Sequence, residues 1–239
     1  MKKLVVITGA SSGIGKTIAK QFSKNNHPVL LLSRRLDKME ELELQNSLCK
    51  SVDVTDLEKM QEAIKEAESK FGKVDCLINC AGIMLLGDPK EQSFNEWNDM
   101  IDVNIKGILT GTNIVLKDMV SRNEGTIINI SSIAGRKTFD NHAVYCGTKF
   151  AVHAITENIR KEVASSNVRV ITIAPGVVET PLLSHTSDEN IKSNYNEWKK
   201  SIESGLDPQQ IASCIDFAYN QPQDVCIREI VIAKTKQED

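Results

Sequence analysis

With 239 residues, 41% of them hydrophobic, the chain suits one large α/β domain with a substantial core and leaves little room for a second. A net charge of −3 offers no cationic surplus for nucleic acid. No segment approaches the roughly 20 apolar residues of a membrane span, and the apolar run after MKK is shorter than the roughly 7–15 residues of a signal-peptide core, so a cytoplasmic protein is expected.

The first apolar run, Leu4–Thr8, reads as a strand and leads into TGASSGIGKT at Thr8–Thr17. From Ala10 this stretch is one residue away from the phosphate loop of nucleotide hydrolases, while Gly9, Gly13 and Gly15 suggest a dinucleotide turn. Either reading points phosphates at the N-terminus of a helix over Ile14–Asn26. Next come a strand at Val29–Ser33, ending on Arg34 and Arg35, a helix over Asp37–Leu44, and a strand at Leu48–Val52, ending on Asp53. A helix over Asp56–Phe71 has Asp56 as N-cap and Gly72 as stop. The strand Cys76–Cys80 runs into Asn79–Gly82, and a long helix, Phe94–Val120, contains Asn104. The strand Thr126–Ser131 is followed by Ser132 and a helix over Ala143–Ser165. The strand Val168–Ala174 is followed by Pro175–Thr180. The polar stretch Ser184–Ser201, with Tyr195 and Trp198, reads as a mobile lid. A helix over Pro208–Tyr219 and a strand at Ile227–Ala233 complete the chain. Such alternation implies right-handed crossovers and a doubly wound, Rossmann-type parallel sheet of seven strands, helices on both faces, as a single domain over residues 1–239. Ligands bind beyond the carboxyl ends of such strands, where the glycine and polar residues cluster.

Six cysteines, at 49, 76, 80, 146, 214 and 226, form no C-x-x-C pair and no zinc spacing, so reduced, buried thiols and no metal are expected. Tyr145 and Lys149 stand at i,i+4, on one helix face. A nearby ammonium favours phenolate and brings a tyrosine closer to the range useful for acid–base work. Ser131 and Ser132 could hydrogen-bond a substrate oxygen or simply cap a turn. Asn104 could hold a water, bend its helix or face solvent.

Taken in order, these stretches resemble a short-chain dehydrogenase/reductase along nearly the whole chain. The matching pieces are T-G-x-x-x-G-I-G at Thr8–Gly15, D-V at Asp53–Val54, N-x-A-G at Asn79–Gly82, Asn104, S-S-x-A-G at Ser131–Gly135, Y-x-x-x-K at Tyr145–Lys149 and P-G-x-V-x-T at Pro175–Thr180. Ser132 precedes Tyr145 by 13 residues, the family's usual interval. The resemblance implies that Tyr145 is the acid in carbonyl reduction and the base in alcohol oxidation. Lys149 would lower the Tyr145 pKa and bind the nicotinamide ribose. Ser132 would hold the substrate oxygen, and Asn104 a water relaying protons from Lys149. The cofactor would lie on Gly9, Ser11, Ser12, Gly13, Ile14, Gly15, Asp53, Val54, Asn79, Ala81 and Gly82, with Pro175, Gly176, Val178 and Thr180 at the nicotinamide. An acidic residue ending the second strand would repel a 2′-phosphate; Ser33, Arg34 and Arg35 stand there instead and favour NADP (NADPH). Ser12 departs from many NADP-preferring relatives, which carry a basic residue in this loop, and Cys80 stands where a second asparagine is frequent.

The resemblance also makes residues 181–201 a substrate lid. The stretch Asp207–Gln237 resembles a subgroup acting on 3-hydroxy acids, serine-like substrates and related small alcohols. The expected activity is NADP-dependent interconversion of a carbonyl and a secondary alcohol, on a small hydroxy acid or related alcohol or ketone. Alternatives are a 3-oxoacyl thioester or xenobiotic carbonyl reductase, or a non-catalytic NADP-sensing module, which would be expected to lose the Tyr or the Lys. A carboxylate substrate would want a cation, for which Arg136, Lys137 and Lys192 are candidates beside their reading as surface residues; His142 and His185 could line the pocket. A phosphate-loop hydrolase needs a magnesium acid at a second strand end, whereas Asp75 precedes its strand and Asp53 takes the adenine-contacting position. Relatives commonly form tetramers through the two long helices. Here these carry Ile105, Ile108, Leu109, Ile114, Val115, Phe150, Val152 and Ile155 on more than one side, and a homotetramer is expected.

Overall fold

Apolar runs without alternation require cover on both faces, and β1 (Leu4–Thr8) shows how it is met. Val5 and Ile7 enter one hydrophobic cluster and Leu4 and Val6 another, as the two-residue period of a strand demands. The computed structural model describes residues 2–238. Its further strands are β2 (Val29–Ser33), β3 (Ser47–Ser51), β4 (Val74–Asn79), β5 (Gly125–Ile130), β6 (Val168–Pro175) and β7 (Glu229–Ile232). All seven pair in parallel, in the order β3-β2-β1-β4-β5-β6-β7. One face is covered by Ile18, Ala19 and Phe22 of α1 (Gly13–Lys24) and by Ile211, Ala212 and Ile215 of α8 (Pro208–Tyr219). The other is covered by Met60, Ala63, Ile64 and Ala67 of α3 (Leu57–Phe71) and by Val115 and Met119 of α5 (Gly107–Arg122). A short α2 (Leu36–Glu40) follows β2. Strand order reverses between β1 and β4, which opens the ligand crevice above their carboxyl ends. Among the described residues no helix is long and apolar enough to cross a membrane.

Four features differ from the sequence-based reading. First, β4 begins at Val74, so Asp75 lies within the strand instead of before it. It sits at the amino end, away from the crevice, where the Tyr219 hydroxyl donates to it at 2.6 Å and Lys3 approaches to 3.2 Å. Second, the long helix is interrupted. α4 (Phe94–Ile101) and α5 are joined by a π-helical segment, Asp102–Lys106. The wider turn carries Asn104 fully inside, so the bend holds and the solvent-facing alternative does not. Third, the stretch read as a lid contains elements the reading did not assign, a 3₁₀ turn at Pro181–His185 and a helix, α7 (Glu189–Ser201), with Asp188 accepting from the Asn190 and Ile191 amides. Ile191, Tyr195 and Trp198 fall on one face of α7, the i, i+4, i+7 signal that was present in the sequence. Fourth, part of the apolar surface expected to need a partner is buried within the chain: Ile108, Val115 and Val152 are inside, whereas Leu109 and Phe150, the latter on α6 (Ala143–Glu162), remain 42% and 43% exposed.

Candidate active site

The turn from β1 into α1 is built by glycine where side chains have no room. Gly9 has φ +68°, and a Cβ there would lie 2.8 Å from the Ala81 Cα. Thr8 ties the two strand ends together, its Oγ1 accepting from the Cys80 and Ala81 amides at 3.0 and 3.1 Å. Ser12 is the N-cap of α1 but makes no side-chain cap bond, so the first amides of the helix stay available to an anion. At the end of β2, Ser33 Oγ donates to Ser11 Oγ at 2.7 Å. Arg35 reaches back over the loop, Nε and Nη2 donating to Ser11 Oγ at 3.2 and 2.9 Å and Nη2 to Ser12 Oγ at 2.8 Å. A guanidinium thus occupies the loop position where Ser12 itself supplies no charge. Beyond β3, Asp53 accepts from the Thr55 amide and hydroxyl at 2.9 and 2.7 Å. Partial burial alone would raise its carboxyl, but these donors and the Arg34 charge hold it below the usual range. A glycine cradle, free helix amides and an arginine clamped over two serines fit a dinucleotide that carries an additional phosphate.

The residues expected to react follow β5. Ser132 caps a 3₁₀ turn, Ile133–Gly135, its Oγ accepting from the Ala134 amide at 3.1 Å. Tyr145 and Lys149, a turn apart on α6, are both buried. Lys149 Nζ donates to the Ile130 carbonyl at 3.1 Å and lies 5.7 Å from the centre of the Tyr145 ring. Burial pushes the Lys149 ammonium down to about 8. The Tyr145 phenol, expected to be lowered by Lys149, is instead raised: burial dominates, Tyr195 adds to it, and only the Ser132 hydrogen bond opposes. Asn104 stands behind this group. Its amide reads both polar atoms of Ile83, accepting from N–H and donating to C=O at 2.9 Å each, and donates to Thr148 Oγ1 at 3.1 Å.

One cavity of about 770 Å³ collects these residues. Gly9, Ser11, Ser12, Gly13, Ile14, Gly15, Ser33, Arg34, Arg35, Asp53, Val54, Ala81 and Gly82 line one part, and Ser132, Tyr145, Lys149, Pro175, Gly176, Val178 and Thr180 the rest. Two expected site residues do not line it. Asn79 is buried with Nδ2 donating to Asn129 Oδ1 at 2.8 Å, and it braces β4 against β5. Asn104 lies one layer behind Gly82 and Lys149, where a Cβ on Gly82 would come within 3.3 Å of its Oδ1.

Cys80 lines the cavity between the two halves, its thiol pushed up to about 12 by burial. His142 and His185 do reach the wall, and burial lowers both imidazoles. Arg136, Lys137 and Lys192 do not. Sequence reasoning missed Gln237, whose Oε1 accepts from the Val177 amide at 3.1 Å, bracing the Pro175–Thr180 segment from the C-terminal tail. Nothing in the polar run KTKQE marks it.

A family model described as short chain dehydrogenase matches residues 3–191. An uncharacterised oxidoreductase of Staphylococcus saprophyticus is 41% identical over 98% of this chain and 97% of its own length. One from Listeria monocytogenes is 35% identical over 98% and 97%. Among solved structures, a closed form of serine dehydrogenase complexed with NADP+ superposes with a TM-score of 0.91 at 29% identity, covering 99% of this chain and 96% of that one. ElxO with NADP bound superposes with a TM-score of 0.84 at 31% identity, covering 97% of each chain.

Proposed function

Because the chain belongs to the short-chain dehydrogenase family and is an oxidoreductase, we propose that it interconverts a carbonyl compound and a secondary alcohol with NADP(H). The observation that carries this reading is the convergence on one cavity of Tyr145, Ser132 and Lys149 with the Arg35–Ser11–Ser12 clamp. When bound, the cofactor supplies or accepts the hydride. The residues of the Gly9–Gly15 turn and the α1 amides hold its pyrophosphate, Arg35 with Ser11 and Ser12 its extra phosphate, and Pro175–Thr180 its nicotinamide amide. Asp53 and Val54 meet the adenine. In reduction the Tyr145 hydroxyl gives its proton to the substrate oxygen, on which negative charge builds, and Ser132 Oγ donates a hydrogen bond to the same oxygen. Lys149 holds the ribose and returns a proton toward Tyr145, while Asn104, its amide engaged by Ile83 and Thr148, supports Lys149 from behind. The segment 181–201 closes over the substrate.

Titration with NADPH and NADH, followed by nicotinamide fluorescence, tests this reading. Tight NADPH binding and weak NADH binding are expected. Arg35→Ala weakens NADPH about 10–100-fold, the value of a charged hydrogen-bonded contact, and leaves NADH within about twofold. Equal loss for both cofactors would make Arg35 a structural residue, and binding of neither would sink the oxidoreductase reading.

The protein is further read as a homotetramer. Two separate apolar patches support this: Ile101, Leu109 and Phe150 on α4, α5 and α6, 44%, 42% and 43% exposed, and Phe217, Val225 and Val231 around α8 and β7, 59%, 44% and 46% exposed. Each patch pairing with its own copy across a twofold axis would close a tetramer. Light scattering at micromolar protein is expected to give four chain masses, and a single chain mass would rule this out.

A further inference from the structure

We propose that the substrate half of the cavity selects a neutral carbonyl compound with an apolar, preferably aromatic, body and rejects a free carboxylate. This rests on the reading above, in which Tyr145 marks the reacting carbonyl.

The cations that a hydroxy acid would need are engaged or absent. Arg136 is held by Glu229 at 2.9 Å, Lys192 pairs with Glu189, and Lys137 is exposed; none of them lines the cavity. Lys199 does line it, but its Nζ donates to Glu179 at 2.9 Å, and Glu179 is fixed in turn by the Gly205 amide at 2.7 Å. Arg35 is committed to the serines of the glycine turn, and Arg34 lies beside Asp53. Lys149 belongs to Tyr145 and the ribose. The histidines supply no charge either. His142 bonds the Asp140 carbonyl through Nδ1 at 2.6 Å, which makes that nitrogen the protonated one, and burial holds the ring neutral. His185 is lowered by burial and further by the Arg35 and Arg34 charges. The carboxyl group of this wall, Asp140, is exposed, so solvent screens it.

Most of what lines this half is apolar, and its further polar groups, Asn141, Ser184 and Asn194, are neutral. Met84 and Leu86, 4% and 2% exposed, pack in one cluster with Tyr145, joined by Phe139, Leu182, Leu183 and Ile191. Aromatic rings run from the reacting hydroxyl outward. His142 lies 6.1 Å from Tyr145, Tyr195 6.3 Å from His142, and Trp198 5.5 Å from Tyr195, centre to centre. These are the spacings of packed aromatic pairs, so a flat apolar substrate extends the row. A carboxylate carried into the same wall loses its water and gains no free cation, only neutral donors such as Asn141, Ser184 and Asn194.

A matched series of ketones tests this on the NADPH-loaded protein: 4-methylacetophenone, 4-acetylbenzoate and 4-(trimethylammonio)acetophenone. NADPH oxidation gives kcat/KM, and calorimetry gives the Kd of each corresponding 1-phenylethanol for the NADPH complex, which cannot turn over. The methyl compound is expected to exceed the carboxylate by at least ~100-fold in kcat/KM, mostly through KM, with the alcohols ranked alike in Kd. A carboxylate that equals the methyl compound, an ammonium compound that exceeds it, or a failure of the whole series while NADPH still binds would overturn the proposal. Failure to bind NADPH would overturn the underlying function with it.

Discussion

Tyr145→Phe lowers kcat for carbonyl reduction by roughly 10²–10⁴-fold, the usual contribution of a positioned acid, and leaves the Kd for NADPH within about twofold. The substitution removes one oxygen from a buried side chain and keeps the ring that packs beside His142, so the cavity walls stay in place. In barrier terms the loss is about 3–5 kcal/mol. Burial raises the phenol above its ordinary value. The hydroxyl therefore remains protonated across the neutral range and is ready to donate. Alcohol oxidation, which needs the phenolate, is expected to accelerate with pH throughout pH 6–10. Steady-state rates in both directions check this, and turnover of the Phe variant within a few fold of the parent would remove Tyr145 from the role.

Lys149→Met gives a protein that is more stable and close to inactive. Lys149 is 5% exposed, and burial brings its ammonium down to about 8 from the ordinary 10.5. Between these values the unfolded chain holds more protons than the folded one, so stability rises with pH across that window. Below about pH 8 the full cost of burying the charge is present. A shift of this size corresponds to about 3 kcal/mol, offset by about 1 kcal/mol for the lost bond to the Ile130 carbonyl. The variant is therefore expected to gain ~2 kcal/mol in urea unfolding at pH 7, and the gain should shrink toward pH 10. A variant less stable than the parent at pH 7 would show that Lys149 is compensated by contacts other than its bond to Ile130. The stability of the parent is thus spent at the residue its chemistry needs.

Much of this site could be read in the sequence because its determinants are local. A glycine whose φ is positive, a serine at the end of a strand and a Tyr–Lys pair one turn apart each act within a few residues, and the parallel sheet brings the strand ends together. Strand positions were legible to within a few residues for the same reason: unbroken apolar runs in β1, β2 and β6 answer to cover on both faces. Long-range packing was less legible. Asn104 is buried because a π turn rotates it toward Ile83 and Thr148, groups that no local pattern links to it. Arg34 and Arg35 were equivalent in the sequence, and only the fold clamps Arg35 on Ser11 and Ser12. Arg136 was a candidate for substrate because it follows Ser132, but Glu229 on β7 claims it. The aromatic row is assembled from residues 142–145 and 195–198, two stretches that meet only when α7 packs over α6.

Cys80 has a consequence for how this protein meets chemical stress. Cys80 is among the residues that line the cavity, but burial pushes its thiol up to about 12, so the thiolate is scarce at neutral pH. Peroxide and electrophiles attack the thiolate. Cys80 is therefore expected to react slowly, and oxidants that silence thiolate-dependent enzymes are expected to spare this cavity.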